Sequence, residues 1–228
     1  MSKEIKILGG IAIVVIAAAI IGASFYRNST PVATKPANAT PAKSWKENEA
    51  FIRDDSPTLG PKDAKVTIVE FLDPECESCA KFHPIVKKAL KDYEGKVRLV
   101  VRYMPLHPNS LSAATFLEAA GEQGKYWEAQ DLLFAKQPEW GTRHGVGHGA
   151  PQPDVNALFK KYAGELGLNI EQMNAVYSAN KYRAKVERDQ KDGQSLGVRQ
   201  TPTIFVNGVK LARLDDTSLR YLINAGLK

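Results

Sequence analysis

The chain holds only two cysteines, Cys76 and Cys79, spaced as Cys76-Glu77-Ser78-Cys79. At helix positions i and i+3 two sulfurs share a face and can close or open a small disulfide ring with little backbone movement. If Cys76 begins a helix, unpaired backbone N–H groups and the positive end of the dipole stabilise its thiolate. Cys76 is then the attacking thiol and the better leaving group, and Cys79, one turn further in, the shielded resolving thiol. As a structural staple the pair would do little, because a four-residue loop scarcely constrains the unfolded chain. As half of a zinc site it would need further ligands, and the chain offers only four histidines. His144 and His148 could ligate together only from a helix, which Gly145, Gly147 and Gly149 oppose. His83 is read as a packed or surface side chain. No metal and no cofactor are expected.

These sulfurs need a strand and a helix to present them. Lys65 to Asp73 is nearly continuous in apolar residues except for Glu70, which suits a central strand covered on both faces. On that strand Glu70 shares a face with Ile68 and Leu72, which predicts burial near Cys79 and a raised pKa available for proton transfer. After Pro74 the period becomes helical, with Cys79, Phe82, Val86 and Leu90 on one stripe and Pro84 placed to kink the helix. Lys96 to Met104 alternates as a second strand, completing a βαβ unit with a right-handed crossover. From about residue 109 to 196 the signals are helical, interrupted by the Gly/Pro/His-rich stretch Gln137 to Pro153, and Tyr126, Trp127 and Trp140 read as the core of this insertion. Strands return at Thr203 to Val206 and Val209 to Leu211 around Asn207-Gly208, a pair that favours a type I′ hairpin turn. An amphipathic helix, Thr217 to Leu227, closes the chain. Pro202, at the start of the returning strand, reads equally well as an ordinary strand-start proline.

The N-terminus carries a different kind of signal. Ile7 to Tyr26 is a 20-residue uncharged run, long enough to cross a bilayer as a helix and longer than the usual apolar core of a cleaved signal peptide, though Gly22, Ala23 and Ser24 could admit a peptidase. The expected organisation is therefore an anchor over residues 1–26, a Pro/Ala/Thr-rich linker over 27–50, and a globular domain over 51–228. The linker's r.m.s. reach is roughly 25 to 30 Å. The net charge of +6 is scattered among acids, with no basic run interleaved with aromatics, so nucleic acid is not an expected partner. A redox-type cysteine motif behind an anchor places the domain on the extracytoplasmic side of the membrane.

The run Ile68-Val69-Glu70-Phe71, then Cys76-x-x-Cys79, then Phe82-His83-Pro84, with a helical insertion and a later Gln200-Thr201-Pro202-Thr203, resembles the DsbA-like branch of the thioredoxin superfamily over about residues 52 to 228. The resemblance implies an α/β thioredoxin-like fold with a helical insertion, here preceded by one transmembrane helix. It also implies that Pro202 is cis beside the disulfide, that the Thr201 backbone is left to pair with an extended substrate, and that Glu70 is the acid beneath the active site. Strongly oxidising members carry histidine just before the second cysteine. This chain has Ser78 there and an acid, Glu77, beside Cys76, which together imply a weaker oxidant.

The expected activity is protein disulfide oxidoreduction on exported proteins with cysteine thiols, as an oxidase of moderate potential recycled by a membrane redox partner. The catalytic residues are Cys76, Cys79 and Glu70, and the substrate-binding residues are Thr201 and Pro202. A monomer is expected, and no dimerisation domain precedes the catalytic domain, which counts against an isomerase. Two other readings stay open: a reductase or isomerase direction for the same pair, and a non-enzymatic protein holding a cuprous ion between the two thiolates.

Overall fold

The structure, a computed structural model, describes residues 44–142 and 152–228. The expected anchor over residues 1–26 lies outside the described residues, as do His144 and His148. Among the described residues no helix is long and apolar enough to cross a membrane.

Strand β2 (Val66–Leu72), preceded by the two-residue strand β1 (Thr58–Leu59), is buried at all seven positions, as its apolar run requires. Helix α1 (Glu77–Asp92) follows, with Pro84 inside it, and leads to β3 (Val97–Tyr103). β3 lies parallel to β2 from Val66 opposite Val97 to Leu72 opposite Tyr103. On the other side of β2 runs β4 (Thr203–Val206), antiparallel, with Glu70 opposite Ile204. With β5 (Val209–Lys210) the sheet order is β1-β3-β2-β4-β5. β1 has no sequence signal because two exposed residues carry no period. The β4–β5 turn has φ of 48° at Asn207 and 80° at Gly208, the left-handed pair that a type I′ turn demands.

Side-chain alternation along β2 separates two cores. Val66, Ile68 and Leu72 face α1, the insertion and the C-terminal helix, while Val69 and Phe71 face Phe51, Met104, Val198 and Phe205. Glu70 falls on the first face, between Ile68 and Leu72, as its parity predicts. On α1 the buried residues are Cys79, Phe82, Val86 and Ala89, with the expected Leu90 only partly buried.

The insertion comprises α2 (Ser110–Gly121), α3 (Tyr126–Ala135), α4 (Gln137–Trp140), α5 (Val155–Glu165), α6 (Ile170–Ser178) and α7 (Arg183–Ser195), and α8 (Asp216–Leu227) ends the chain. Trp140 is fully buried, Tyr126 is buried, and Trp127 packs on the same core half-covered. α4 corrects the expectation of an irregular stretch from Gln137 onward. Pro138 sits in its first turn, where a missing N–H costs nothing, and the Trp140 indole donates to the Leu133 carbonyl at 2.9 Å.

A second correction concerns where ordered packing begins. Trp45, assigned above to the linker, lies in a 3₁₀ turn (Trp45–Glu47), meets Phe51 edge-on, and lies so close over Gly208 that a Cβ there would stand 2.6 Å from it. The Glu49 and Ala50 carbonyls accept from Arg102 at 3.3 and 2.9 Å. Arg102 itself is fully buried on β3 and pairs with Asp189 and Asp192 of α7 at 2.9 and 2.5 Å. The same helix approaches the sheet closely at Gly193, where a Cβ would lie 2.9 Å from the Phe71 ring.

Candidate active site

The end of β2 delivers the chain into α1 through Asp73-Pro74-Glu75-Cys76. The Cys76 N–H donates to the Asp73 carbonyl at 3.0 Å, and Cys76 occupies the N-cap of α1 with extended backbone (φ −75°, ψ 119°). Both cysteines are free thiols; Cys76 is 8% exposed and Cys79 fully buried. The structure thus brings together what the spacing predicted, a thiol at the mouth of a helix and a second one turn inside.

The two thiols are made unequal by their surroundings. A hydrogen bond from the Cys79 thiol is the largest influence on Cys76; burial opposes ionisation, but the Thr201 hydroxyl and the N–H groups of Cys79 and Ser78 favour it. Together they bring the Cys76 pKa down to about 5. Those two amides are the unpaired donors of the helix's first turn. Among the described residues the buried Thr201 hydroxyl has no hydrogen-bond partner, and an ionised Cys76 sulfur gives it an acceptor. Cys79 moves the other way: burial, then its bond to Cys76 and the charges of Cys76 and Glu70, push it well above 9.0.

The remaining expected residues converge on this pair. The Thr201-Pro202 bond is cis, and the Cys76 sulfur lies 3.3 Å from the Thr201 carbonyl oxygen. Glu70 is 3% exposed beneath the sulfurs, and burial, with the Cys76 charge adding, raises its pKa to about 7. A carboxyl with that pKa can give or take a proton near neutrality. Glu77, by contrast, points outward, its side chain 74% exposed and 3.8 Å from Lys81, so its leverage on Cys76 is smaller than adjacency in sequence suggests. His83 is a packed side chain, 2.7 Å from Asp131 and against the Phe134 ring.

Sequence reasoning missed the acids that hold this connection in place. Asp73, fully buried, accepts from the N–H groups of Glu75 at 2.9 Å and Leu106 at 2.7 Å, and bonds the His107 imidazole at 2.7 Å. The Pro74 carbonyl accepts from the Gln137 side chain at 3.0 Å. Glu75 is also buried and accepts from the backbone and side-chain amides of Asn109 at 2.6 and 2.9 Å, and from the N–H and hydroxyl of Thr142 at 2.7 and 2.6 Å. Two acids within three residues of the first cysteine were the available signal; their partners outside this connection lie 33 to 67 positions away.

Cys76 opens onto a groove of about 1010 Å³ whose walls include Glu75, Ser78, Lys81, His107, Phe134 and Pro138. A separate cavity of about 410 Å³ among α2, α5 and α6 carries neither a thiol nor an acid.

A central strand entering a helix at two unequal thiols, with the carbonyl before a cis proline meeting the outer sulfur and a helical insertion between the βαβ unit and the final hairpin, defines a DsbA-like thiol-disulfide oxidoreductase of the thioredoxin superfamily. The chain belongs to the thioredoxin family: the profile described as Thioredoxin matches residues 53–225. Among solved structures, BdbD from Bacillus subtilis is similar over 75% of this chain and 92% of its own, at 28% identity and a TM-score of 0.66. A thioredoxin-like oxidoreductase from Silicibacter pomeroyi is similar over 79% and 97%, at 26% identity and a TM-score of 0.65. Wolbachia pipientis alpha-DsbA1 shares the fold at 20% identity, over 77% of this chain and 94% of its own, with a TM-score of 0.64. Among curated proteins, a Na(+)/H(+) antiporter NhaA from Herminiimonas arsenicoxydans is 34% identical over 67% of this chain but only 22% of its own length. The chain thus spans about a fifth of such relatives, and the transport in their name stays with those longer proteins.

Proposed function

We propose that the protein exchanges disulfides with exported proteins through Cys76 and Cys79, as an oxidase of moderate potential held on the extracytoplasmic side of a membrane by residues 7–26. The observation that carries this reading is the inequality of the two thiols, one lowered to about 5 at the helix N-cap and one pushed well above 9.0 beneath it. An incoming thiolate attacks the sulfur it can reach, that of Cys76, and expels Cys79; the lowered pKa then makes Cys76 the better leaving group when the mixed disulfide resolves.

In the oxidising direction a substrate thiolate attacks the Cys76 sulfur of the closed disulfide. The S–S bond breaks, its electron pair leaves on Cys79, and protonated Glu70 neutralises that buried thiolate. The Thr201 backbone holds the substrate in extended form beside Pro202. A second substrate thiolate then attacks the substrate sulfur of the mixed disulfide and expels Cys76 as a thiolate. The substrate has lost two electrons and the protein has gained them, so a membrane-bound acceptor must return the pair to the disulfide.

Stabilising the Cys76 thiolate stabilises the reduced protein and so favours oxidation of substrates. Ser78 and Glu77 supply no cation to the dipeptide, which keeps the potential moderate. Equilibration with glutathione buffers tests the direction: a potential above that of the glutathione couple supports the oxidase, and one well below it supports a reductase. Fractionation of cells carrying the full chain tests the anchor. Recovery in the membrane fraction with the domain open to external protease is the expected result, and recovery in the cytosol would overturn it.

A further inference from the structure

The dipeptide between the cysteines has no histidine, yet a histidine lines the groove beside Cys76. It comes from the connection after β3, 34 positions from its partner Asp73. His107 is held at both backbone and ring: its backbone N–H donates to the Ser110 hydroxyl at 3.1 Å, and its Nδ1 lies 2.7 Å from the Asp73 carboxylate. Asp73 is in turn fully buried and immobilised by the amides of Glu75 and Leu106. The ring, 28% exposed at its side chain, is thus neither a mobile surface group nor a core side chain.

We propose that His107, oriented by Asp73, is an electrostatic positioning residue for the redox centre, its imidazolium stabilising the Cys76 thiolate from across the groove in place of the cation that Ser78 does not provide. This rests on the reading of Cys76 as the reactive thiol. The charges around the ring agree in sign. Burial disfavours the imidazolium, but Asp73 at hydrogen-bond distance outweighs it, and Cys76 and Glu75 add to the same side, so the pKa is raised from 6.5. Glu77 and Lys81 of α1 line the same groove, and both point into solvent.

Because coupling between two sites is reciprocal, a cation that favours the thiolate must itself be favoured by it. Closing the Cys76–Cys79 disulfide removes the sulfur's charge. Proton binding by His107 should therefore be roughly three- to tenfold tighter in the reduced than in the oxidised protein, the range for a partly screened charge pair facing one groove.

Imidazole titrations by NMR on the wild-type chain in both redox states read this directly. His83, bonded to Asp131 and not among the residues that line the groove, is the internal control, and His107→Gln assigns the signal. The expected result is a His107 titration that moves upward on reduction while His83 stays in place. In glutathione buffers near pH 6, His107→Gln should shift the equilibrium roughly three- to tenfold toward the disulfide, a tenfold change being about 30 mV for this couple. A His107 titration identical in the two states, or a His107→Gln variant with the wild-type redox equilibrium, overturns the inference. If His107→Gln fails to fold, the wild-type titration still decides. Failure of the underlying reading looks different: Cys79→Ser would then trap no mixed disulfide, whatever His107 does.

Discussion

The sulfur of Cys76 stands 3.3 Å from the carbonyl oxygen of Thr201, a contact across 125 positions of sequence, and the hydroxyl of the same threonine favours the thiolate. The two groups of Thr201 therefore have separable duties. Thr201→Val keeps the carbonyl and removes the hydroxyl. The expected outcome is a Cys76 pKa above about 5, read from ultraviolet thiolate absorbance, with a more reducing potential. An unmoved titration would assign the stabilisation to the Cys79 thiol and the Ser78 and Cys79 amides.

The order of events at the two sulfurs is testable by removing each in turn. Cys79→Ser should accumulate mixed disulfides with exported proteins, because the intermediate forms and its intramolecular exit is gone. Cys76→Ser should form few adducts, since the remaining thiol is fully buried and held well above 9.0. Non-reducing electrophoresis of trapped complexes checks both, and equal trapping by the two variants would refute the assignment.

Ionisation of Cys76 also shapes the stability of the reduced protein. With the native pKa near 5 and the unfolded value near 9.0, the unfolded chain binds more protons between these limits, so stability rises with pH across that window and is lost as pH falls through about 5. The oxidised protein has no such group. Denaturation profiles of the two redox states should therefore diverge as pH rises from about 5, with the reduced form gaining.

Glu70 works in the opposite sense. Its native pKa of about 7 lies above the ordinary 4.5, so the folded chain binds more protons between those values and stability falls as pH rises through them. The penalty, complete above about pH 7, is on the order of 3 kcal/mol. Glu70→Gln should flatten this part of the profile and stabilise the protein by roughly 1 to 3 kcal/mol near pH 8, while slowing the step that delivers a proton to Cys79. Denaturant midpoints against pH and single-turnover exchange rates check the two halves.

A purely structural group gives a contrasting result. Arg102 and Asp189 are both fully buried, and Arg102→Met leaves Asp189 without its main counter-charge. A loss of roughly 3 to 5 kcal/mol is expected, with little change in the Cys76 titration of the folded protein. A large shift in that titration would show that the α7 contacts reach the sulfurs.

Much of this site was readable in the sequence because its signals are local. The parity of Glu70 on its strand, the start of α1 at Cys76 and the Asn207-Gly208 turn each depend on a few adjacent residues, and each took its expected place. What was not readable depends on pairs brought together only by folding. Asp73 with His107, Glu75 with Thr142, and Arg102 with Asp189 are 34, 67 and 87 positions apart, and no period announces them. Trp45 escaped for a related reason, because a lone aromatic among Lys, Ser and Glu looks like linker until Gly208 is found beneath it.

The three residues before Cys76 grip the insertion and the connection that leads into it: Asp73 holds 106 and 107, Pro74 holds Gln137, and Glu75 holds Asn109 and Thr142. For anyone grafting or trimming this domain, the helical insertion is consequently not a detachable module. Transplanting Cys76 to Cys79 alone moves the sulfurs without their mounting. A chimaera that keeps the native chemistry has to carry residues 73–79, 106–109 and 137–142 as a single cassette, with both acids matched to the amides they were built to receive.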